Sequence, residues 1–354
     1  MLIDKGGDML RNAKFINFTT VPNEKWNFSN NLNIIIGENG TGKSHVLKGL
    51  YSLLSVQYSA TGIFSKNALE KSYAEKMIGV LQPENLGRLV KRKQGRARCE
   101  IELEFNDKSI VKIGFASNAK SLVEVVNPPE KILYKPPVYF PTRELVTLCP
   151  WFTSLVDNYH LEFDGTWGDT VSLLGAPSVK GPRETKVASL LIPLEEALGG
   201  RVVVDSKTGR FYLNIPNEGN MEMPLVAEGL RKLVMLARLI STGVLLEQGF
   251  LFWDEPEANL NPKLIRGLAK TIIALAQSGI QIFLATHSLF LLREIEMQLS
   301  QSNENYSFCK YFALAYTDDG VALEQSNNLE KIDTLVVLDE EIRQAERFLN
   351  EGKD

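Results

Sequence analysis

The stretch Asn33-Ile34-Ile35-Ile36-Gly37-Glu38-Asn39-Gly40-Thr41-Gly42-Lys43-Ser44 decides how this chain is read. Three β-branched residues run into a glycine-rich turn, and Lys43-Ser44 open an apolar-periodic segment, His45 to Tyr58, that reads as a helix. From Gly37 to Ser44 the residues meet the pattern G-x-x-x-x-G-K-[ST] in full. Glycines at these places let backbone N–H groups point inward at phosphate oxygens, and the N-terminus of the following helix adds partial positive charge. Asn39, Gly40, Thr41, Gly42, Lys43, Ser44 and His45 are therefore candidate phosphate-binding residues. Lys43 is placed to reach the β- and γ-phosphates of a nucleotide, and the Ser44 hydroxyl to ligate Mg²⁺. The alternative is a chance glycine-rich turn, which the strand pattern before it and the helix pattern after it disfavour.

Bulk composition narrows the partners. Lys plus Arg number 39 and Asp plus Glu 43, a net charge of −4, so nucleic acid would have to be met by a local basic patch. The 354 residues suffice for one large or two medium domains. Cys99, Cys149 and Cys309 lie far apart and form no C-x-x-C pair, which points away from a zinc site or disulfide framework and toward a reducing, cytoplasmic setting. The first eight residues are too short and polar for a signal peptide, and the longest apolar stretches, such as Gly249 to Trp253, are strand-sized. No membrane partner is expected.

Outward from the loop, Met9 to Phe18 and Trp26 to Phe28 read as strands, and Asn67 to Leu81 as a helix. Lys91 to Arg98 is the most basic run, either a solvated loop or a contact to a phosphate backbone. Cys99–Phe105 and Ser109–Phe115 alternate around a turn as a hairpin, with Ser121–Val126 a further strand. Pro136–Phe140 reads as a buried strand. Residues 145–199 are mainly helical, with Lys186–Leu198 the clearest helix, and Arg201–Asp205 pairs with Arg210–Ile215 as a second hairpin.

From Glu228 the pattern becomes α/β: helix Glu228–Thr242, strand Gly249–Trp253, helix Pro262–Gln277, strand Gln281–Ala285 and helix Ser288–Leu299. Ser307–Tyr316 and Val321–Glu324 then pair on a sheet edge, and Asp339–Leu349 reads as a polar terminal helix. Three segments are expected. Residues 1–145 carry the phosphate loop, 146–226 form a mainly helical and hairpin subdomain, and 227–354 hold the second half of the site. The outer two form one nucleotide-binding unit.

That second half begins at Phe250-Leu251-Phe252-Trp253-Asp254-Glu255, an apolar strand ending in two acids. Asp254 at the strand tip can hold Mg²⁺, and Glu255 can orient and deprotonate an attacking water. Two acids opening a turn would be weak evidence alone. However, Pro256 to Pro262 follows directly, and one helix and one strand later comes Ala285-Thr286-His287-Ser288. His287, just past a strand end, can donate to a γ-phosphate or position water.

Gly37–Ser44, Phe250–Glu255, Glu257–Pro262 and Thr286–His287 resemble the Walker A motif, Walker B motif, D-loop and switch histidine of ABC-type ATPases. Ala227-Glu228-Gly229-Leu230-Arg231 resembles their signature. The Glu-Gly-Leu-Arg form and the long separation of Lys43 from Asp254 look most like the stand-alone AAA-domain group, related to overcoming-lysogenisation-defect and SMC-like proteins.

The resemblance implies an α/β P-loop NTPase fold, an ABC-ATPase-like core with a mixed sheet plus an antiparallel β lobe and a helical insert. It also implies ATP and Mg²⁺ as cofactors, and catalysis by Lys43, Glu255 and His287. Glu228 and Gly229 of one subunit would face the nucleotide of the other in a homodimer or higher even oligomer. Departures accompany it. Ala227 stands where the signature has serine, and no clean Q-loop glutamine is evident, Arg143 or Glu144 being its substitutes and Gln57 a competitor. The stretch after Tyr316 leaves no room for a Toprim nuclease, so a separate effector protein is expected, as in bacterial phage defence. A DNA-gripping SMC-like ATPase using Lys91–Arg98 is the alternative. A membrane-transporter subunit fits the degenerate signature poorly.

Overall fold

Ile35 points to one side of the strand Leu32–Gly37, Ile34 and Ile36 to the other, and the two sides bury separate hydrophobic cores. The computed structural model describes residues 8–59, 65–92, 96–159, 162–181, 184–205, 207–246, 249–301 and 307–335, with 340, 343, 344 and 346–348. Its strands are β1 Leu10–Ile16, β2 Lys25–Asn27, β3 Leu32–Gly37, β4 Arg98–Phe105, β5 Ile110–Ala116, β6 Glu124–Asn127, β7 Val138–Phe140, β8 Arg201–Val204, β9 Phe211–Ile215, β10 Gly219–Glu222, β11 Gly249–Asp254, β12 Ile280–Thr286, β13 Cys309–Thr317 and β14 Gly320–Ser326. Its helices are α1 Lys43–Ser59, α2 Lys66–Leu81, α3 Cys149–Tyr159, α4 Gly165–Gly175, α5 Glu184–Leu198, α6 Glu228–Ser241, α7 Pro262–Gln277 and α8 Leu289–Gln301.

The central sheet has six strands in the order β14-β13-β3-β12-β11-β7. All neighbours are parallel except the edge pair β13–β14, so the sheet is mixed. Strands covered on both faces read as continuous apolar runs, as Ile34–Ile36 and Phe250–Trp253 do. Toward one face project Ile35, Phe252, Phe283 and Phe312, which pack on α1 and on the antiparallel sheet β2-β1-β4-β5-β6. Toward the other project Ile34, Ile36, Leu251, Trp253, Ile282 and Leu284, which share a core with residues of α5, α6, α7 and α8.

Two fully buried amides fasten these layers. Gln281 on β12 accepts from Leu10 N at 2.8 Å and donates to Leu10 O at 2.7 Å and Ser29 O at 2.8 Å, joining the central sheet to β1. Asn33 on β3 exchanges hydrogen bonds with Ser29 N and O at 2.8 and 2.9 Å. Buried polar groups persist where every partner is supplied.

Several boundaries differ from the sequence reading. The strand expected over 121–126 is Glu124–Asn127, paired with β5 through an irregular register. Helix α5 begins at Glu184 and carries Pro193 within it. Strand β10, which the sequence did not signal, adds a third strand to the second hairpin; its short polar run Gly-Asn-Met-Glu lacks an apolar alternation. Of the helix expected over 339–349, the described residues 340, 343, 344 and 346–348 are helical and the others lie outside the described residues, as do residues 93–95 of the basic run. No helix among the described residues is long and apolar enough to cross a membrane.

Candidate functional site

The carboxyl ends of β3, β11 and β12 bring the motifs of both ends of the chain together, because these strands are neighbours in one parallel sheet. The loop after β3 turns through Gly40 and Gly42, whose φ angles of +83° and +100° suit glycine and strain other residues. A Cβ would also meet Tyr316 Oη at 2.7 Å from position 40, and Thr20 Oγ1 at 2.8 Å from position 42. The glycines therefore serve backbone direction and close packing at once.

Lys43 is buried, and its ammonium donates to Gly37 O at 2.7 Å and Glu38 O at 2.9 Å across the loop. Burial lowers its pKa, against the opposing pull of Asp254, Glu255, Glu257 and Glu38. Asp254 ends β11, where burial raises its pKa while a hydrogen bond from Ser44 works against the rise. The Ser44–Asp254 pairing across the loop sets two oxygen donors side by side, the donor type that divalent cations take. His45, next in α1, has a buried Nδ1 with no hydrogen-bond partner among the described residues; burial first, then Lys48, lowers its pKa and favours the neutral ring.

Glu255 adopts a left-handed backbone, φ +47°, an uncommon conformation for a side-chain-bearing residue and one that clusters at functional sites. Its N–H donates to Ala285 O at 2.9 Å, which holds the turn against β12. His287, half exposed at the end of β12, places Nδ1 3.4 Å from Glu255 Oε1 and 4.0 Å from Glu257 Oε1. The structure thus brings Lys43, Ser44, Asp254, Glu255 and His287 into one site.

The signature segment is arranged differently. Ala227 and Glu228 are exposed at the start of α6, whereas Gly229 is buried against the D-loop of its own chain. Glu144 is buried and accepts from Thr147 Oγ1 at 2.7 Å and Arg231 Nη1 at 3.1 Å, so it ties the segment after β7 to α6. Arg143 is exposed. Gln57 sits near the far end of α1, roughly 20 Å along the helix from Ser44, and donates to Lys131 O at 3.2 Å. Its place removes it from the phosphate loop.

Two residues at the site escaped the sequence reading, and a third, Glu257, entered it only as the first residue of the D-loop resemblance. Lys232, fully buried on α6, donates to Glu255 O at 3.4 Å. Its signal was a lysine inside the apolar stripe that includes Leu233, Leu236 and Ile240. Tyr139 on β7 lies against Asp254; burial first, then that carboxylate, holds the phenol well above its ordinary value. Glu257, buried in the D-loop, accepts from Thr286 Oγ1 at 2.6 Å. For Tyr139, and for the contact of Glu257 with Thr286, the signal is three-dimensional and no spacing shows it.

Two family models match the sequence. One, described as "AAA domain", matches residues 14–136 and includes the phosphate loop. The other, described as "AAA domain, putative AbiEii toxin, Type IV TA system", matches residues 167–293 and includes the signature, Walker B and switch segments. No protein of curated function matches the sequence. Among solved structures, an SMC head bound to the C-winged helix domain of ScpA is similar at 14% identity and a TM-score of 0.56, covering 91% of this chain and 98% of its own. The Pyrococcus furiosus SMC head with an extended coiled coil, bound to the C-terminal domain of ScpA, gives 14% identity and 0.53, covering 95% and 99%. The chain has the mixed α/β fold of an ABC- and SMC-like P-loop ATPase, with AAA-domain models matching both of its halves.

Proposed function

We propose that this chain is an ATPase that binds Mg-ATP at the phosphate loop, dimerises on it through the α6 N-terminus of a second copy, and acts as a switch for a separate effector protein. The observation that carries the reading is the convergence of Lys43, the Ser44–Asp254 pair and the Glu255–His287 pair at one end of the parallel sheet. The residues fit the ligands: glycines turn the loop's backbone inward, and the buried ammonium of Lys43 already rests on loop carbonyls. Backbone N–H groups of residues 39–45 and Lys43 bind the phosphates. Ser44 and Asp254 would hold Mg²⁺, which when bound would supply neutralisation of the charge on the phosphate oxygens. Glu255 takes the proton of the attacking water, and His287 orients that water and the γ-phosphate oxygens.

Ala227 and Glu228, exposed at the head of α6, are the groups presented to a second subunit. A nucleotide shared between two protomers stabilises the dimer by mass action, and hydrolysis resets it. We place the partner-switching role in bacterial phage defence, and what supports this is the description of the model matched over residues 167–293, which names a putative AbiEii toxin and a Type IV TA system. The direct test is ATP turnover by the wild-type chain and by Lys43→Ala. Loss of turnover in the variant is expected; full turnover would refute the phosphate-loop assignment.

The second reading, a DNA-gripping ATPase, draws support from the SMC-head likeness and from Lys91, which lies beside the β13–β14 turn at Gly320. Against it, Arg98 of the same run is engaged by Glu100 and Glu124. DNA binding that weakens steeply with salt would favour it.

A further inference from the structure

Two buried charged groups take no part in the roles given above. Lys232 lies three residues beyond Gly229 on α6, fully buried, and among the described residues its ammonium finds one acceptor, the Glu255 carbonyl at 3.4 Å. Glu257 is buried in the D-loop: Oε1 accepts from Thr286, while Oε2, out of reach of solvent, accepts from nothing among the described residues. No direct ion pair joins Lys232 to Glu257 among the described residues. An ammonium with spare donors and a carboxylate with spare lone pairs, both withdrawn from water, each cost folding free energy as they stand. A conformation that closes one onto the other recovers part of that cost.

Their surroundings link them to the site. Gly229, without a side chain, lets α6 approach the Asn259 carbonyl closely, a contact through which a displacement at Ala227–Glu228 would reach the D-loop. Within that loop Glu257 holds Thr286, whose hydroxyl donates to Oε1 at 2.6 Å and accepts from Ser288 N at 3.0 Å. Both neighbours of His287 are thus tied to Glu257. Burial lowers the pKa of Lys232, and Glu257 is the foremost charge opposing that shift.

We propose that Lys232 and Glu257 are a positioning pair that closes when a nucleotide bound across the subunit interface presses α6 toward the D-loop, and that its closure sets His287 and Glu255 for hydrolysis. This rests on the reading of the chain as a nucleotide-dimerised ATPase. Neither residue touches the nucleotide; both act through Thr286, His287 and the Glu255 backbone.

The test measures kcat and KM for ATP in the full chain carrying Lys232→Met, Glu257→Gln or both, with thermal unfolding to establish that each folds. Each single variant should lower kcat by about tenfold or more while KM stays within about threefold, a split that general loss of structure does not produce. The double variant should be no slower than the slower single, because the two act as one unit. A folded variant with wild-type kcat, a loss carried by KM, or losses that multiply would overturn the pair. If Lys232→Met does not fold, Glu257→Gln decides by its own kcat and KM. The Lys43→Ala variant separates the two levels: turnover that it abolishes upholds the ATPase reading whatever the pair does. A wild-type chain without Lys43-dependent turnover overturns both.

Discussion

Gly229 and the carbonyl oxygen of Asn259 approach so closely that a Cβ at position 229 would fall under 3.0 Å from that oxygen, a separation real Cβ atoms essentially never show. The signature glycine therefore has a duty inside its own subunit, fixing the distance between α6 and the D-loop, beside any approach to a partner's nucleotide.

Gly229→Ala is expected to shift the D-loop and destabilise the chain by about 1–3 kcal/mol, the usual range for overpacking. Nucleotide binding at the phosphate loop should persist while turnover falls. Denaturant titration and nucleotide binding by fluorescence check both arms. Normal stability with normal turnover would show that the close approach is easily relieved. Probes of the interface belong instead at Ala227 and Glu228, which are exposed.

Asp254 and Glu255 adjoin in sequence but not in setting, one buried beside Ser44, the other on a left-handed turn facing His287. Glu255→Gln should bind Mg-ATP and hydrolyse it roughly 10²–10⁴-fold more slowly, the range for removal of a general base. Asp254→Asn should instead weaken Mg²⁺-dependent binding. Equal loss of affinity in both would reverse the assignment.

A pH response is expected away from the site. In the β4–β5 turn burial alone would raise the pKa of Asp107, but bonds from Lys131 at 2.7 Å and from Ser109 hold it down to about 2. A carboxyl depressed on folding adds stability that is present above its ordinary value of 3.8 and is lost as pH falls toward about 2. Asp107→Asn should therefore be less stable than wild type at neutral pH, with the gap narrowing on acidification. A gap independent of pH across that window would show that the lost interaction is not ionic.

The strand–loop–helix around Lys43 was legible because it is written locally: β-branched run, glycines, then helical periodicity over consecutive residues. The acid-tipped strand and His287 were legible for the same reason. What the sequence does not display is which strands become neighbours, since β3 pairs with β12 and β13 from the far end of the chain. Contacts that follow from that neighbourhood were hidden with it: Gln281 reaching Leu10, Tyr139 against Asp254, and Glu144 holding Arg231. Lys232 was hidden by its type, because a lysine in a helix is ordinarily assigned to the solvated face.

In the function proposed above, ATP completes its site between two copies of this chain. Sedimentation of the Glu255→Gln protein, with and without saturating Mg-ATP, tests it most directly, because slowed hydrolysis lets the bound state accumulate. Mg-ATP should convert the protein to a dimer, or tighten one already present, and a bulky charged substitution at the exposed Ala227 should abolish this effect while single-subunit nucleotide binding remains. A protein that binds Mg-ATP and sediments as an unchanged monomer would contradict it.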